Sequence, residues 1–265
     1  WHTSHQVIRG LFDRHDYGFK LTFTEMAPVQ AGGGLAWVID SVTEAYNGVA
    51  KLPAAAEQTA VDCSQGSATS LVHLADDSLE AVVVDPPYSD NVQYSELADF
   101  FYVWLKRSQG HRRPEWFSSL LCENAQEAVK NDARFRAGVT KAKDAADAAQ
   151  RHYQALMTQV FTEAHRVLRQ DGVLTVMFTH KKQEAWEALF ASLIEAGFTI
   201  TATWPIKTES EHSLHQAKKN AAQSTVILVA RRRHARAGVG YFDAVMQASI
   251  RQVAAATAER LSSEG

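Results

Sequence analysis

Leu79-Glu80-Ala81-Val82-Val83-Val84-Asp85-Pro86-Pro87-Tyr88 is the stretch that decides the fold. Its first seven residues are a short, nearly continuous apolar run ending on an acid. That pattern predicts a parallel strand buried on both faces. Two prolines then fix the backbone and remove two N–H donors, so the chain leaves the strand in a rigid turn whose carbonyls point outward. In open α/β sheets, ligands bind outside the carboxyl ends of the strands, and that is where Asp85, Pro86, Pro87 and Tyr88 fall.

The same rhythm runs outward from this strand. Downstream, the spacing predicts a helix around residues 94–107, a polar stretch without clear periodicity over 108–137, and a long helix over 139–168. The Ala-rich, alternately charged part of that helix, 137–150, reads as a solvated face. The 108–137 stretch reads as an inserted loop over the ligand side, a lid or a disordered segment. GVLTVMFTH (172–180) repeats the buried-strand pattern, a helix follows over 183–196, and FTITATWPI (198–206) and STVILVARR (224–232) read as two closing strands. A mildly amphipathic helix ends the chain over 241–261. Upstream lie a helix over 35–51, a short strand candidate in AEQTAVDC, and a GSAT turn (66–69) leading into a brief helix. Residues 1–30 mix a short helical pattern with an extended one. The alternation predicts an α/β fold, a Rossmann-like sheet with helices on both faces and a C-terminal antiparallel hairpin. The expected division is a lead-in over 1–57, a core over 58–236 and a terminal helix over 237–265.

Asp85 and a fixed proline carbonyl together can accept both hydrogens of a planar exocyclic amine, while Tyr88 offers a flat face to an aromatic base. Methylating such an amine is hard because its lone pair is delocalised into the ring. Two well-aimed acceptors favour rehybridisation and expose the lone pair to an electrophilic methyl group, so the catalysis is orientation and charge stabilisation. An ordinary strand-ending turn is the bland alternative.

Composition sets outer limits. The 265 residues are 46% apolar and 22% charged, with a net charge of −3, which excludes a disordered tail, a collagen-like rod and a general polycation. Any nucleic-acid surface must therefore be local. The two cysteines, Cys63 and Cys122, are far apart, which argues against a disulfide framework or a zinc site and fits a reducing cytoplasm. No metal is expected. No apolar run approaches the roughly 18 residues of a membrane span, so no membrane role is expected.

The DPPY segment resembles the catalytic motif of S-adenosylmethionine-dependent amino-group DNA methyltransferases. Residues 82–107 (VVVDPPYSDNVQYSELADFFYVWLKR) and 167–232, opening VLRQDGVLTVMFTH, resemble a narrower group, the large adenine-specific methyltransferases of prokaryotic anti-phage defence loci. The resemblance runs from roughly residue 7 to 232. It implies a class I methyltransferase sheet lacking its first strands, S-adenosyl-L-methionine as cofactor, and a flipped adenine of DNA as substrate. Asp85, Pro86, Pro87 and Tyr88 would meet the base, and Gly66, Ser67 and Ala68, with Asp85, would lie against the cofactor. Ser67 stands where the family commonly has an aspartate. The Gly-rich turn that holds the methionine moiety is expected upstream of Trp1, which reads as mid-sequence; Gly32-Gly33-Gly34 follows a proline-containing loop and reads as loop. Partner proteins of a defence system are a further implication. A cytosine-N4 or RNA methyltransferase and a non-catalytic binding half remain as alternatives.

Other residues carry two readings each. Asn91 and Tyr94 could line the base pocket or cap a helix. Phe100, Phe101, Tyr102 and Trp104 have the spacing of a core-facing stripe. His180 could contact the base or DNA, or simply close the strand. In the polar loop 207–223, Lys219 and Asn220, with Lys207 and Lys218, could hold a nucleotide or be solvated. Arg231-Arg232-Arg233-His234-Ala235-Arg236 and His111-Arg112-Arg113 could neutralise phosphates or mark plain surface.

Overall fold

The computed structural model describes residues 34–51, 62, 66–206, 225–233 and 243–264. The chain divides into two units, Trp1–Gln65 and Gly66–Gly265. In the first, helix α1 (Leu35–Ala50) is apolar on many positions, among them Trp37, Ile39, Val42 and Tyr46, and none of its side chains is buried.

The second unit holds a four-stranded sheet flanked by helices. Its strands are β1 (Leu79–Val84), β2 (Leu168–Phe178), β3 (Phe198–Ile206) and β4 (Thr225–Arg232), in the order β1-β2-β4-β3. β1 and β2 run parallel, with Val82 opposite Leu174 and Val84 opposite Val176. β4 is antiparallel to both its neighbours, pairing Val176 with Leu228 on one side and Thr203 with Leu228 on the other. This is the α/β, Rossmann-like sheet with a closing antiparallel pair of strands that the sequence predicts. Pro205 is tolerated in β3 because β3 is an edge strand, where a missing N–H costs no ladder bond.

Between β1 and β2 the chain makes α2 (Tyr94–Gln109), three single turns of 3₁₀ helix, and the long α3 (Ala142–Val167). Helix α4 (Gln183–Glu195) joins β2 to β3, and α5 (Ala244–Glu264) follows β4. No described helix is long and apolar enough to cross a membrane.

The core follows from periodicity. On α3, Ala145, Ala149, Tyr153, Met157, Phe161 and Ala164 recur every three or four residues and form one buried stripe. On β2, Gly172, Leu174, Val176 and Phe178 alternate with half-buried residues, as one face of a strand must. The α3 stripe meets this face together with Ala185, Ala188, Leu189 and Leu193 of α4, Phe198 of β3, and Leu228 and Ala230 of β4.

Four expectations change. β1 is not buried on both faces: it lies at the edge of the described sheet, Val82 and Val84 are half-buried, and Val83 is 76% exposed. The Ala-rich start of α3 is not wholly solvated, because Ala145 and Ala149 pack inward. Residues 67–78 form turns with no helix among them. The aromatic stripe of α2 faces outward, with Phe101 and Trp104 at least half exposed. The expected elements over 1–30 lie outside the described residues, as does AEQTAVDC apart from Asp62.

Candidate active site

β1 and β2 are parallel, so the turn after Val84 and the end of β2 at Phe178 emerge on the same edge of the sheet. Asp85 is exposed there. One of its carboxylate oxygens accepts a hydrogen bond from the Tyr88 hydroxyl at 2.5 Å. The Tyr88 ring stands edge-on to Phe178, centroids 5.2 Å apart, and Phe178 in turn packs edge-on to Trp186 at 4.9 Å. The phenol is thus held from below by the core and from its tip by Asp85.

The two proline carbonyls are not equivalent. That of Pro87 accepts from the Tyr153 hydroxyl at 2.9 Å and from the Ser89 N–H at 3.1 Å, which fills both lone pairs. That of Pro86 has no hydrogen-bond partner among the described residues, and neither does the second Asp85 oxygen. Tyr153 is fully buried on α3, and burial pushes its phenol pKa well up, so it stays a neutral donor. Ser89 has a positive φ of 53°, a left-handed conformation that costs a non-glycine residue about 1 kcal/mol. Its burial and the Lys130 N–H bond to its carbonyl at 3.1 Å hold it there.

A second layer locks the far side of the turn. His180 Nδ1 accepts the Lys182 N–H at 3.0 Å, so Nε2 carries the proton and donates to Asp90 Oδ1, also at 3.0 Å. Lys182 Nζ bonds the other Asp90 oxygen, and the Trp186 indole N–H bonds the His180 carbonyl at 2.8 Å. The hydrogen bond from His180, then that from Lys182, holds the Asp90 carboxyl well below the usual carboxylate range against the opposing effect of burial. The expectation of a substrate contact at His180 is corrected here. Its side chain is wholly covered and both ring nitrogens are engaged, so it joins the end of β2 to the turn after β1.

Of the other expected residues, Asn91 is exposed and its N–H closes the turn onto the Tyr88 carbonyl at 3.1 Å. Tyr94 opens α2 and is half exposed. Burial, then the carboxylates of Asp85 and Glu127, push its phenol pKa up. The structure therefore gathers Asp85, Pro86, Pro87, Tyr88, Asn91 and Tyr94 around one turn. Lys219, Asn220, Lys207 and Lys218 lie outside the described residues.

Gly66, Ser67 and Ala68 form an exposed or half-exposed turn closed by a Ser70 N–H bond to the Ser67 carbonyl at 3.0 Å, with the Ser67 and Thr69 hydroxyls 2.7 Å apart. The turn is followed by a firm tether. Glu163 of α3 accepts the Leu71 N–H at 2.7 Å, and Arg166 bonds the Leu71 and Leu74 carbonyls and Asp76. No heavy atom lies within 4 Å of where a Cβ on Gly66 would sit, so the backbone is open to a flat ring. These residues fit a cofactor's adenine in that respect. The Ser67 hydroxyl is engaged with Thr69 and cannot play the part of an aspartate.

The described part of the arginine run lies elsewhere. β4 is antiparallel to β2, so residues 231–233 lie at the end of the sheet opposite Asp85. Arg231 bonds the Asp171 carbonyl, Arg232 the Leu168 carbonyl and Asp77, and Arg233 the Ile194 carbonyl. These guanidiniums tie the sheet together. Residues 234–236 lie outside the described residues.

Sequence reasoning missed Tyr153, Asp90 and the polar staple around Glu127. The carboxylate of Glu127 accepts the Ser95 N–H at 2.8 Å, the Ser95 hydroxyl and Arg134, so a residue 32 positions downstream caps the start of α2.

No family model matches this sequence, and no curated protein matches it. Among solved structures, the crystal structure of the (4+2) cyclase SpnF aligns with a TM-score of 0.35 at 14% identity, covering 76% of this chain and 64% of that one.

Proposed function

We propose that this chain transfers a methyl group from S-adenosyl-L-methionine to the N6 amino group of an adenine in DNA. The single observation that supports this most is the division of labour among acceptors at residues 85–88. One Asp85 oxygen and the Pro87 carbonyl are filled from within, leaving the other Asp85 oxygen and the Pro86 carbonyl as acceptors for two amine hydrogens.

Chemically, the amine arrives planar and weakly nucleophilic. Accepting its two hydrogens draws the nitrogen toward sp³ and frees its lone pair, and the Tyr88 ring steadies the base. The cofactor, when bound, would supply an electrophilic methyl on a sulfonium, whose S–C bond breaks to leave a neutral thioether. As the new N–C bond forms the nitrogen sheds a proton, which the Asp85 carboxylate can hold before passing it to water. Because Tyr88 donates to Asp85, that carboxylate is already oriented before substrate arrives. Adenine in a duplex has this amine locked in pairing, so the base must be extruded. Gly66, Ser67 and Ala68 are the proposed contacts for the cofactor's adenine, with Asn91 and Tyr94 beside the base.

The test is methyl transfer from tritiated cofactor to DNA, followed by mass spectrometry of the digested product. Asp85→Ala should reduce transfer at least a thousandfold with an unchanged circular dichroism spectrum. N6-methyladenine is the expected product. N4-methylcytosine, a labelled RNA, or full activity of Asp85→Ala would overturn the reading.

A further inference from the structure

The end of α2 and the turn after it carry a feature that the methyl-transfer chemistry does not use. Residues 100–116 hold four Lys and Arg side chains against the one carboxylate of Glu115, in a chain whose net charge is −3. Two large exposed indoles sit among them. Trp104 is 57% exposed with the Arg107 guanidinium 5.8 Å from its ring centroid, and Trp116 is 53% exposed with Arg113 at 4.9 Å. Arg107, His111 and Arg112 are exposed too.

This surface is built rather than loose. The N–H groups of Arg112 and Arg113 both bond the Gln109 carbonyl, at 2.8 and 3.0 Å, which folds the chain back at the helix end. The rings of Tyr102 and Phe117 pack at 5.4 Å, and the Tyr102 hydroxyl bonds the Ser119 carbonyl at 2.8 Å. Farther along, the Cys122 N–H bonds Asp99 at 2.8 Å. The 3₁₀ turn bearing Trp116 is thereby fixed against the helix bearing Trp104.

We infer that this aromatic and arginine ridge binds an unpaired nucleic-acid strand. Flat faces beside fixed cations suit a chain that alternates bases and phosphates: each base can stack on an indole while the guanidiniums neutralise the backbone. An apolar protein partner has no use for the cations. An intact duplex offers phosphates but keeps its base faces stacked and out of reach. The inference rests on the methyl-transfer reading in one respect, namely that a base extruded from its duplex, with the partner it leaves behind, is an unpaired base.

The experiment uses the full chain and a 5′-fluorescein-labelled single-stranded DNA 12-mer of mixed sequence, read by anisotropy at several salt concentrations. Trp104→Ala and Trp116→Ala should each weaken binding about tenfold, whereas Trp204→Ala, an equally exposed indole on β3, should not. Arg107→Gln and Arg112→Gln should each lower the salt slope by roughly 0.7, a readout that does not depend on the tryptophan variants. A duplex of the same sequence should bind less tightly and be insensitive to the indoles. Absence of binding, equal loss in Trp204→Ala, or loss of affinity with the indoles irrelevant would each overturn the inference. Methyl transfer by the parent chain is measured alongside, so a failed ridge with transfer intact, or an intact ridge with transfer absent, tells the two proposals apart.

Discussion

Two acceptors stay open at residues 85 and 86, one beside a bond from nearby Tyr88 and one beside a carbonyl filled by a group far away in the chain. Tyr153 lies 66 positions after Pro87, yet its hydroxyl determines which proline carbonyl stays available. Tyr153→Phe removes that donor and leaves Pro87 with the Ser89 N–H alone. The expected cost is about 1 kcal/mol of stability, measured by urea denaturation. Turnover in methyl transfer should fall about tenfold, with the KM for cofactor unchanged, since the loss falls on orientation of the amine. A simple structural weakening would move both constants or neither. DPPY was legible in the sequence because two prolines and an acid after an apolar run are a local pattern. Tyr153 and Asp90 were not, because their meaning arises only when α3 and β2 pack against the turn. His180 shows the converse: its place at a strand end suggested a ligand contact, and only the geometry reveals that both nitrogens are taken.

At the scale of elements, the two parallel strands, the three helices around them and the closing hairpin were all readable from periodicity. Burial was read less well. Spacing reveals which side of α2 is apolar but not whether anything covers it, and Phe101 and Trp104 turn out exposed. The 108–137 stretch has no periodicity because hydrogen bonds between distant side chains organise it, Glu127 to Ser95 and Asn131 to Gln93 and Glu96 among them. A similar polar tether gives a pH prediction. Hydrogen bonds from Arg166 and then from the Leu71 N–H pull the Glu163 carboxyl from 4.5 down to about 2. Its folded pKa is depressed, so the stabilisation is present above about pH 4.5 and is lost as pH falls through 2. Thermal melts at fixed ionic strength should therefore show Glu163→Gln less stable than the parent at pH 6. The two should converge as the pH is taken from 4.5 toward 2. A gap that stays constant over that range would remove Glu163 from the account.

For the whole molecule, stability is concentrated where α3, α4 and the sheet meet. Phe161 is fully buried in that layer, and Phe161→Ala should lower unfolding free energy by roughly 3–5 kcal/mol, seen as a fall in the urea midpoint with the slope unchanged. Trp37→Ala on α1, where no side chain is buried, should stay within about 0.5 kcal/mol of the parent. The position of β4 has a consequence for biosynthesis. The strand that occupies an interior slot of the sheet, between β2 and β3, is the last of the four to leave the ribosome. Until residue 232 emerges, its two neighbours have nothing to join them, and Leu228 and Ala230 are missing from the core. A nascent chain arrested before Thr225 should accordingly be cut readily by added protease. Release of a few dozen more residues should confer resistance in one step, so that this domain folds late and all at once.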